Sequence, residues 1–179
     1  MDQDSTILIS ALQQHQPAAC QRLLTDYGPM VFRMVQRIVS QREDAEEVYQ
    51  DVFVKALRGI GGYDSHQASL ATWLGRIAYH ESLNFVRGRK PTLLYIEEGD
   101  LGTDTLEAPD EAPQDEETLR QLERALAKLP PHEQAIVSMF YYDNMSLADI
   151  AFVTGSIPST VGSQLSRIRK KLYRIIKTR

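Results

Sequence analysis

Apolar residues recur along this chain at intervals of three and four, and no stretch alternates apolar and polar positions as a half-buried strand requires. The pattern predicts an all-α protein. A first short helix falls over Ser5 to Gln14, with Ile7, Leu8, Ala11 and Leu12 on one side. Pro17 restarts the chain, Leu23, Leu24 and Tyr27 follow, and Gly28-Pro29 is expected to break the helix. Val31, Met34, Val35 and Ile38 then mark another helix, with Arg33, Arg37 and Arg42 on its polar side. Asp44 is expected to cap the next one, whose apolar set is Val48, Val52, Phe53, Ala56, Leu57 and Ile60. Gly61 to Gln67 has the composition of a loop. Ser69 caps a helix with the stripe Leu70, Trp73, Leu74, Ile77 and Ala78, which leaves Thr72, Arg76, Tyr79, His80, Asn84 and Arg87 on its outer face. Trp73 is expected in the core, as Trp usually is. After an interruption from Pro91 to Gln114, helical periodicity returns with Leu119, Leu122, Ala125, Leu126 and Leu129, and then Ala135, Ile136 and Met139.

The sharpest local pattern lies at Ser146 to Leu172. Ser146 has the place of an N-cap with Asp149 three residues on, the spacing of a capping box. Leu147, Ile150 and Ala151 form a short stripe, and Gly155 is placed to end the helix in a left-handed C-cap. Pro158 suits the first turn of a second helix. Val161, Leu165, Ile168 and Leu172 follow at spacings of four, three and four. A small Ala, a Gly at the turn and a Val beyond it are the packing pattern of a helix-turn-helix, whose second helix can enter a DNA major groove. The polar positions of that helix are Ser159, Thr160, Ser163, Gln164, Arg167, Lys170 and Lys171. No acidic side chain follows Asp149, so the C-terminal end has the basic density that phosphate neutralisation requires.

Charge changes the picture once it is counted by segment. The 179 residues carry 20 Lys and Arg against 24 Asp and Glu, a net charge of −4. Ten of those acids lie between Glu97 and Glu117, where there is no Lys or Arg, which leaves 14 acidic against 20 basic side chains elsewhere. An acidic linker over residues 92–114 thus separates two parts that are basic on balance. The helix after Asp44 is an exception, with Asp44, Glu47 and Asp51 at i, i+3 and i+7, and Gln50 beside them. Asp51 lies beyond reach of the helix dipole, so a basic partner is the functional account of that stripe. The other candidate chemistries fall away. The single cysteine, Cys20, cannot form an internal disulfide and fits a reducing cytoplasm as a small packing residue. His15, His66, His80 and His132 lack metal-ligand spacing, and there is no Gly-rich phosphate loop or nucleophile motif, so neither metal, cofactor nor catalysis is expected. No apolar run reaches membrane-spanning length, and MDQDSTILIS lacks the basic start of a signal peptide, so no membrane insertion is expected.

The helix DAEEVYQDVFVKAL, the segment GYDSHQASLATWLGRIAYHESLNFVRGRKP, the acidic linker and the run LPPHEQAIVSMFYYDNMSLADIA before a basic helix occur in one order. That order resembles bacterial RNA polymerase sigma factors of the extracytoplasmic-function type, in the sigma-70 family, and the resemblance runs from about Pro17 to Lys171. It implies two small helical domains, region 2 over residues 1–91 and region 4 over residues 115–179, joined by the flexible linker. It implies that Asp44, Glu47, Gln50 and Asp51 dock on the β′ clamp of core RNA polymerase, which the chain joins together with β. It implies that Tyr63, Asp64, Ser65 and His66 capture a flipped base of the −10 promoter element, with Arg76, Tyr79, His80, Asn84 and Arg87 beside them on the DNA. The helix-turn-helix would read the −35 element. An anti-sigma factor is an expected partner. His80 stands where many members have Asn, Gly162 where many have a basic residue, and the turn Pro falls one residue late. A helix-turn-helix regulator acting on an operator without polymerase is the other reading of the same motif, and it gives no account of the acidic helix or the Trp73 segment.

Overall fold

The computed structural model describes residues 3–89 and 116–177, and among them every regular element is helical. Helices α1 (Gln3–Gln13), α2 (Pro17–Ile38), α3 (Arg42–Gly59) and α4 (Leu70–Arg89) make the first domain, with a single 3-10 turn at Ile60–Gly62. Helices α5 (Glu116–Leu126), α6 (Pro131–Tyr141), α7 (Leu147–Thr154) and α8 (Pro158–Lys177) make the second. The acidic linker expected at 92–114 lies outside the described residues.

In the first domain α4 lies against both α2 and α3, which also pack on each other. The stripes responsible are Leu23, Val31, Met34, Val35 and Ile38 on α2, Ala45, Val48, Val52, Phe53 and Ala56 on α3, and Leu70, Leu74 and Ala78 on α4, all buried. Phe32, Tyr49 and Phe53 pack edge-on in a row along the α2–α3 contact, with successive ring centres 5.6 and 5.0 Å apart. Lys55 of α3 pairs with Glu81 of α4. In the second domain Ile136, Met139, Ile150, Val153, Val161, Leu165 and Ile168 are buried together, and Leu172 is packed against them in part.

Two expectations about helix ends need correction. Gly28-Pro29 does not break the chain: α2 runs through both, and its buried stripe keeps its phase from Leu23 to Ile38. Pro29 is exposed, so its ring faces solvent. Gly28 is buried under α3, where Tyr49 Oη lies 2.7 Å from the place a Cβ would occupy. Burial of the stripe on both sides outweighs the local cost of an interior proline, about 3 kcal/mol. Asp44 is not an N-cap: α3 starts at Arg42 after Gln41, and Glu43 and Asp44 sit in its first turn, where they favour the dipole.

The two domains share one continuous apolar cluster. It is joined where α4 meets α7 and where α2 meets α6. A Cβ added to Gly75 of α4 would lie 3.3 Å from Met34 Cε of α2 and 3.7 Å from Val153 Cγ2 of α7. Gly75 is therefore the low point of α4 over which helices of both domains close.

Candidate functional site

The helix-turn-helix forms as its local signals dictate. Ser146 Oγ accepts the Asp149 backbone N–H at 3.1 Å, the expected N-cap bond, and donates to Asp149 Oδ2 at 2.6 Å, so the Asp149 carboxylate meets the Ser146 hydroxyl. Gly155 ends α7 at φ 73° and ψ 27°, with its N–H on the Ala151 carbonyl. Ile150, Ala151 and Val161 are buried at the α7–α8 contact. Leu147 is not: it is 36% exposed, with its Cδ1 4.0 Å from a Cβ position on Gly162. On α8, Ser159, Thr160, Ser163 and Arg167 are exposed on one side. Ser163 Oγ donates to the Ser159 carbonyl at 3.0 Å, a bond within the helix that leaves its lone pairs outward. Gln164 is half-buried, and its Oε1 is buried with no hydrogen-bond partner among the described residues. Lys170 is half-exposed, while Lys171 Nζ pairs with Glu133 Oε2 of α6 at 2.9 Å. Lys171, expected as a phosphate contact, makes this pair across the domain with its side chain 44% exposed.

On α3 the predicted acidic stripe is open to solvent. Glu47, Gln50 and Asp51 are exposed and Asp44 is half-exposed. Arg42 pairs with Glu46 on a neighbouring side at 3.0 Å, so an internal cation offsets Glu46, while Glu47 and Asp51 of the stripe are exposed.

The loop after α3 is shaped by its own side chains. Tyr63 Oη donates to the Ala68 carbonyl at 3.0 Å across the loop, and its ring packs edge-on against Trp73, centre to centre 5.4 Å. Asp64 accepts the His66 N–H at 2.9 Å and Gln67 Nε2 at 3.2 Å. Those two donors hold the Asp64 carboxyl below its ordinary range, and burial pushes the Tyr63 phenol up. Asp64 and His66 point outward, Tyr63 and Ser65 are half-buried. Trp73 is half-buried rather than fully in the core, wedged between the loop and Gly59. Gln13 of α1 reaches the Ile60 carbonyl at the loop's base, 3.5 Å away, a link that periodicity gave no reason to expect.

The outer face of α4 is where expectation and structure part. Only Asn84 and Arg87 are exposed. Thr72 is 7% and Tyr79 6% exposed, and Arg76 and His80 are half-buried. The cover is α7. Thr72 Oγ1 donates to Asp149 Oδ1 at 3.2 Å, and Arg76 donates to the Phe152 carbonyl at 3.0 Å and lies 4.9 Å from the Phe152 ring centre. Burial, with the Arg76 and Arg87 cations, holds the His80 imidazole below its ordinary pKa. Tyr79, buried beside His80 with ring centres 5.3 Å apart, has its phenol pushed up by burial and offers no free face for stacking.

Comparison with known proteins bears on the whole chain. Residues 23–92 match the family described as Sigma-70 region 2, and residues 119–172 match Sigma-70, region 4. The chain is 31% identical over 157 residues to RNA polymerase sigma factor YlaC of Bacillus subtilis, covering 84% of this chain and 87% of that protein. It is 26% identical over 174 residues to RNA polymerase sigma-H factor of Pseudomonas aeruginosa, covering 92% and 90%. Among solved structures the fold is shared with CnrH in complex with the cytosolic domain of CnrY (TM-score 0.67, 19% identity, 96% of each chain). It is also shared with the sigma factor RpoE of Bartonella quintana in complex with the anti-sigma factor NepR (TM-score 0.62, 20% identity, 88% of this chain and 96% of that one). Region 2, region 4 and the order of the two agree with these relatives, and this chain belongs to the sigma-70 family as a sigma factor of the extracytoplasmic-function type.

Proposed function

We propose that this sigma factor directs initiation through three separate surfaces. The acidic stripe Asp44, Glu47, Gln50 and Asp51 docks on a basic surface of core RNA polymerase. The loop Tyr63 to His66, with Arg76, Tyr79, His80, Asn84 and Arg87, engages and opens the −10 element. On α8, Ser159, Thr160, Ser163, Gln164 and Arg167 read the −35 element, while Lys170 and Lys171 grip phosphate. The division assigns residues 1–91 to the first two tasks and 115–179 to the third, with 92–114 as the linker. An initiation subunit of this kind has no need of catalysis or a cofactor and works in the cytoplasm, and no described helix is long and apolar enough to cross a membrane. The two solved relatives described in complex, one with the cytosolic domain of CnrY and one with the anti-sigma factor NepR, support an anti-sigma factor as a further partner.

The observation that carries the reading is the solvent-facing anionic stripe of α3 in the same chain as an open recognition face on α8. A stability role explains neither, since charges so exposed contribute little to folding. The test is Asp51→Arg in transcription with purified core polymerase. Reversal of one exposed charge at a complementary interface is expected to weaken core binding by about tenfold or more, with the melting temperature unchanged. Normal core binding by a folded Asp51→Arg protein would remove the docking assignment.

A further inference from the structure

We infer that Leu147 of α7 belongs to the reading surface and senses the 5-methyl group of a thymine in the −35 element. The inference rests on the reading of α8 as the helix that enters the major groove.

The solvent-facing side of α8 has two halves. Thr160 and Arg167 lie on one, each with a donor to offer. Ser159, Gly162, Ser163 and Ser166 make the other, at spacings of three, one and three, so they share a face. Ser159 and Ser163 are exposed there, and Gly162 and Ser166 are half-exposed. None of these four side chains is longer than a serine, and what borders them comes from the neighbouring helix. Leu147 Cδ1 lies 4.0 Å from the place a Gly162 Cβ would take, so Leu147 stands over the point where a side chain at 162 would begin. The rest of α7 holds it there: Ile150, Ala151 and Val153 are buried, and the Ser146 cap fixes the first turn.

The part of Leu147 left in water contributes nothing to folding and is free to lose that water against a ligand. Among the groups that base pairs present in the major groove, the thymine methyl is the apolar one. Ser163 narrows the choice further. Its hydroxyl donates to the Ser159 carbonyl at 3.0 Å, so toward DNA it can only accept. The adenine N6 amine is a donor in the same groove. An apolar end beside an acceptor suits an A·T pair, whereas Arg167 on the other half suits guanine. Ile157 is exposed as well, but it stands four residues before Val161, in phase with the buried side of α8.

The experiment exchanges thymine for deoxyuridine, which pairs alike and lacks only the methyl group. The reconstituted holoenzyme selects a promoter duplex from randomised −35 sequences, and each thymine of the selected element is exchanged in turn. At one position the exchange is expected to weaken wild-type binding about fourfold, the worth of one buried methyl. Leu147→Ala should bind the thymine and uracil duplexes alike at that position and keep its preferences elsewhere. Leu147→Met, apolar and of similar reach, should keep the difference, and so should Ile157→Ala. A selected element without thymine, or one whose thymines can all be exchanged without loss, overturns the inference. So does a Leu147→Ala protein that keeps the difference or binds every duplex more weakly by one common factor, or an Ile157→Ala protein that loses the difference. A wild-type holoenzyme with no base preference anywhere in the −35 element overturns the reading of α8 and the inference with it. Base preference without any methyl effect overturns the inference alone.

Discussion

Replacing Arg167 and Lys170 separately should distinguish reading from gripping on α8. Arg167 is exposed one turn beyond Ser163 on the side of the helix away from Val161, Leu165 and Ile168, and its removal leaves the buried side untouched. A bidentate contact from Arg to guanine discriminates against other bases by about 1–3 kcal/mol, roughly 5-fold to 150-fold at the position read. Arg167→Ala should lose that amount at one or two −35 positions and little elsewhere. Lys170 is half-exposed without a side-chain partner among the described residues, so as a phosphate contact its loss should weaken all promoters alike and reduce the salt slope by about one unit. Lys171 starts from an ion pair with Glu133 whose side chains are 44% and 21% exposed. A pair that accessible is worth at most about 1 kcal/mol, and engaging phosphate gives it up, so Lys171→Ala should cost less than Lys170→Ala. The assay is affinity of the reconstituted holoenzyme for duplexes varied across the −35 element, at several salt concentrations. A uniform loss for Arg167→Ala, with an altered salt slope, would place Arg167 on the backbone and refute the division.

Three further outcomes follow from the geometry. Tyr63→Phe removes the Oη bond to the Ala68 carbonyl but keeps the ring against Trp73, so promoter opening should fall by about fivefold, the worth of one net hydrogen bond, with closed-complex binding preserved. Permanganate reactivity of the −10 thymines reads this, and equal loss of both steps would contradict it. Gly155→Ala should destabilise by about 1 kcal/mol because φ there is 73°, whereas Gly162→Ala, inside α8 with only Leu147 at 4.0 Å, should stabilise by about 0.5–1 kcal/mol; melting temperatures that move in the same direction would count against both assignments. Acid should destabilise the protein. The lowered pKa of His80 means the folded chain binds fewer protons than the unfolded one below about pH 6.5, so stability is full above that pH and falls as the pH drops toward the folded value. His132, lowered by burial, acts in the same direction. His80→Asn should flatten the fall in stability below about pH 6.5, and an unaltered slope would acquit His80.

What could be read from the sequence depended on how far apart the deciding residues lie. Ser146, Asp149, Gly155 and the four-three-four stripe of α8 settle their structure within one or two turns, so the helix-turn-helix was legible to the residue. Leu147 was the exception, since its exposure is decided by how α8 lies across α7. Pro29 misled because a local rule met a buried stripe that continued on either side of it, and the stripe carried more free energy. Asp44 misled because Gln41 makes no side-chain cap at all and α3 begins without one.

The face of α4 is a harder case, and it shows a limit of periodicity itself. Its contacts join residues 76 and 77 positions apart, a guanidinium on a carbonyl oxygen and a hydroxyl on a carboxylate. A polar interface leaves no apolar stripe, so Thr72, Arg76, Tyr79 and His80 carry the same pattern whether they meet water, DNA or another helix. The available sign was Gly75, an interior helix glycine flanked at three- and four-residue spacing by Thr72 and Tyr79. In a helix such a glycine costs about 1 kcal/mol, and close approach of a second backbone is one reason to keep it. The groups that suit a phosphate backbone are the groups that suit a helix end, because both present oxygens at the negative end of a field. Donors on a helix that suit one of these ligands suit the other, and in this structure Thr72 and Arg76 of α4 meet oxygens of α7.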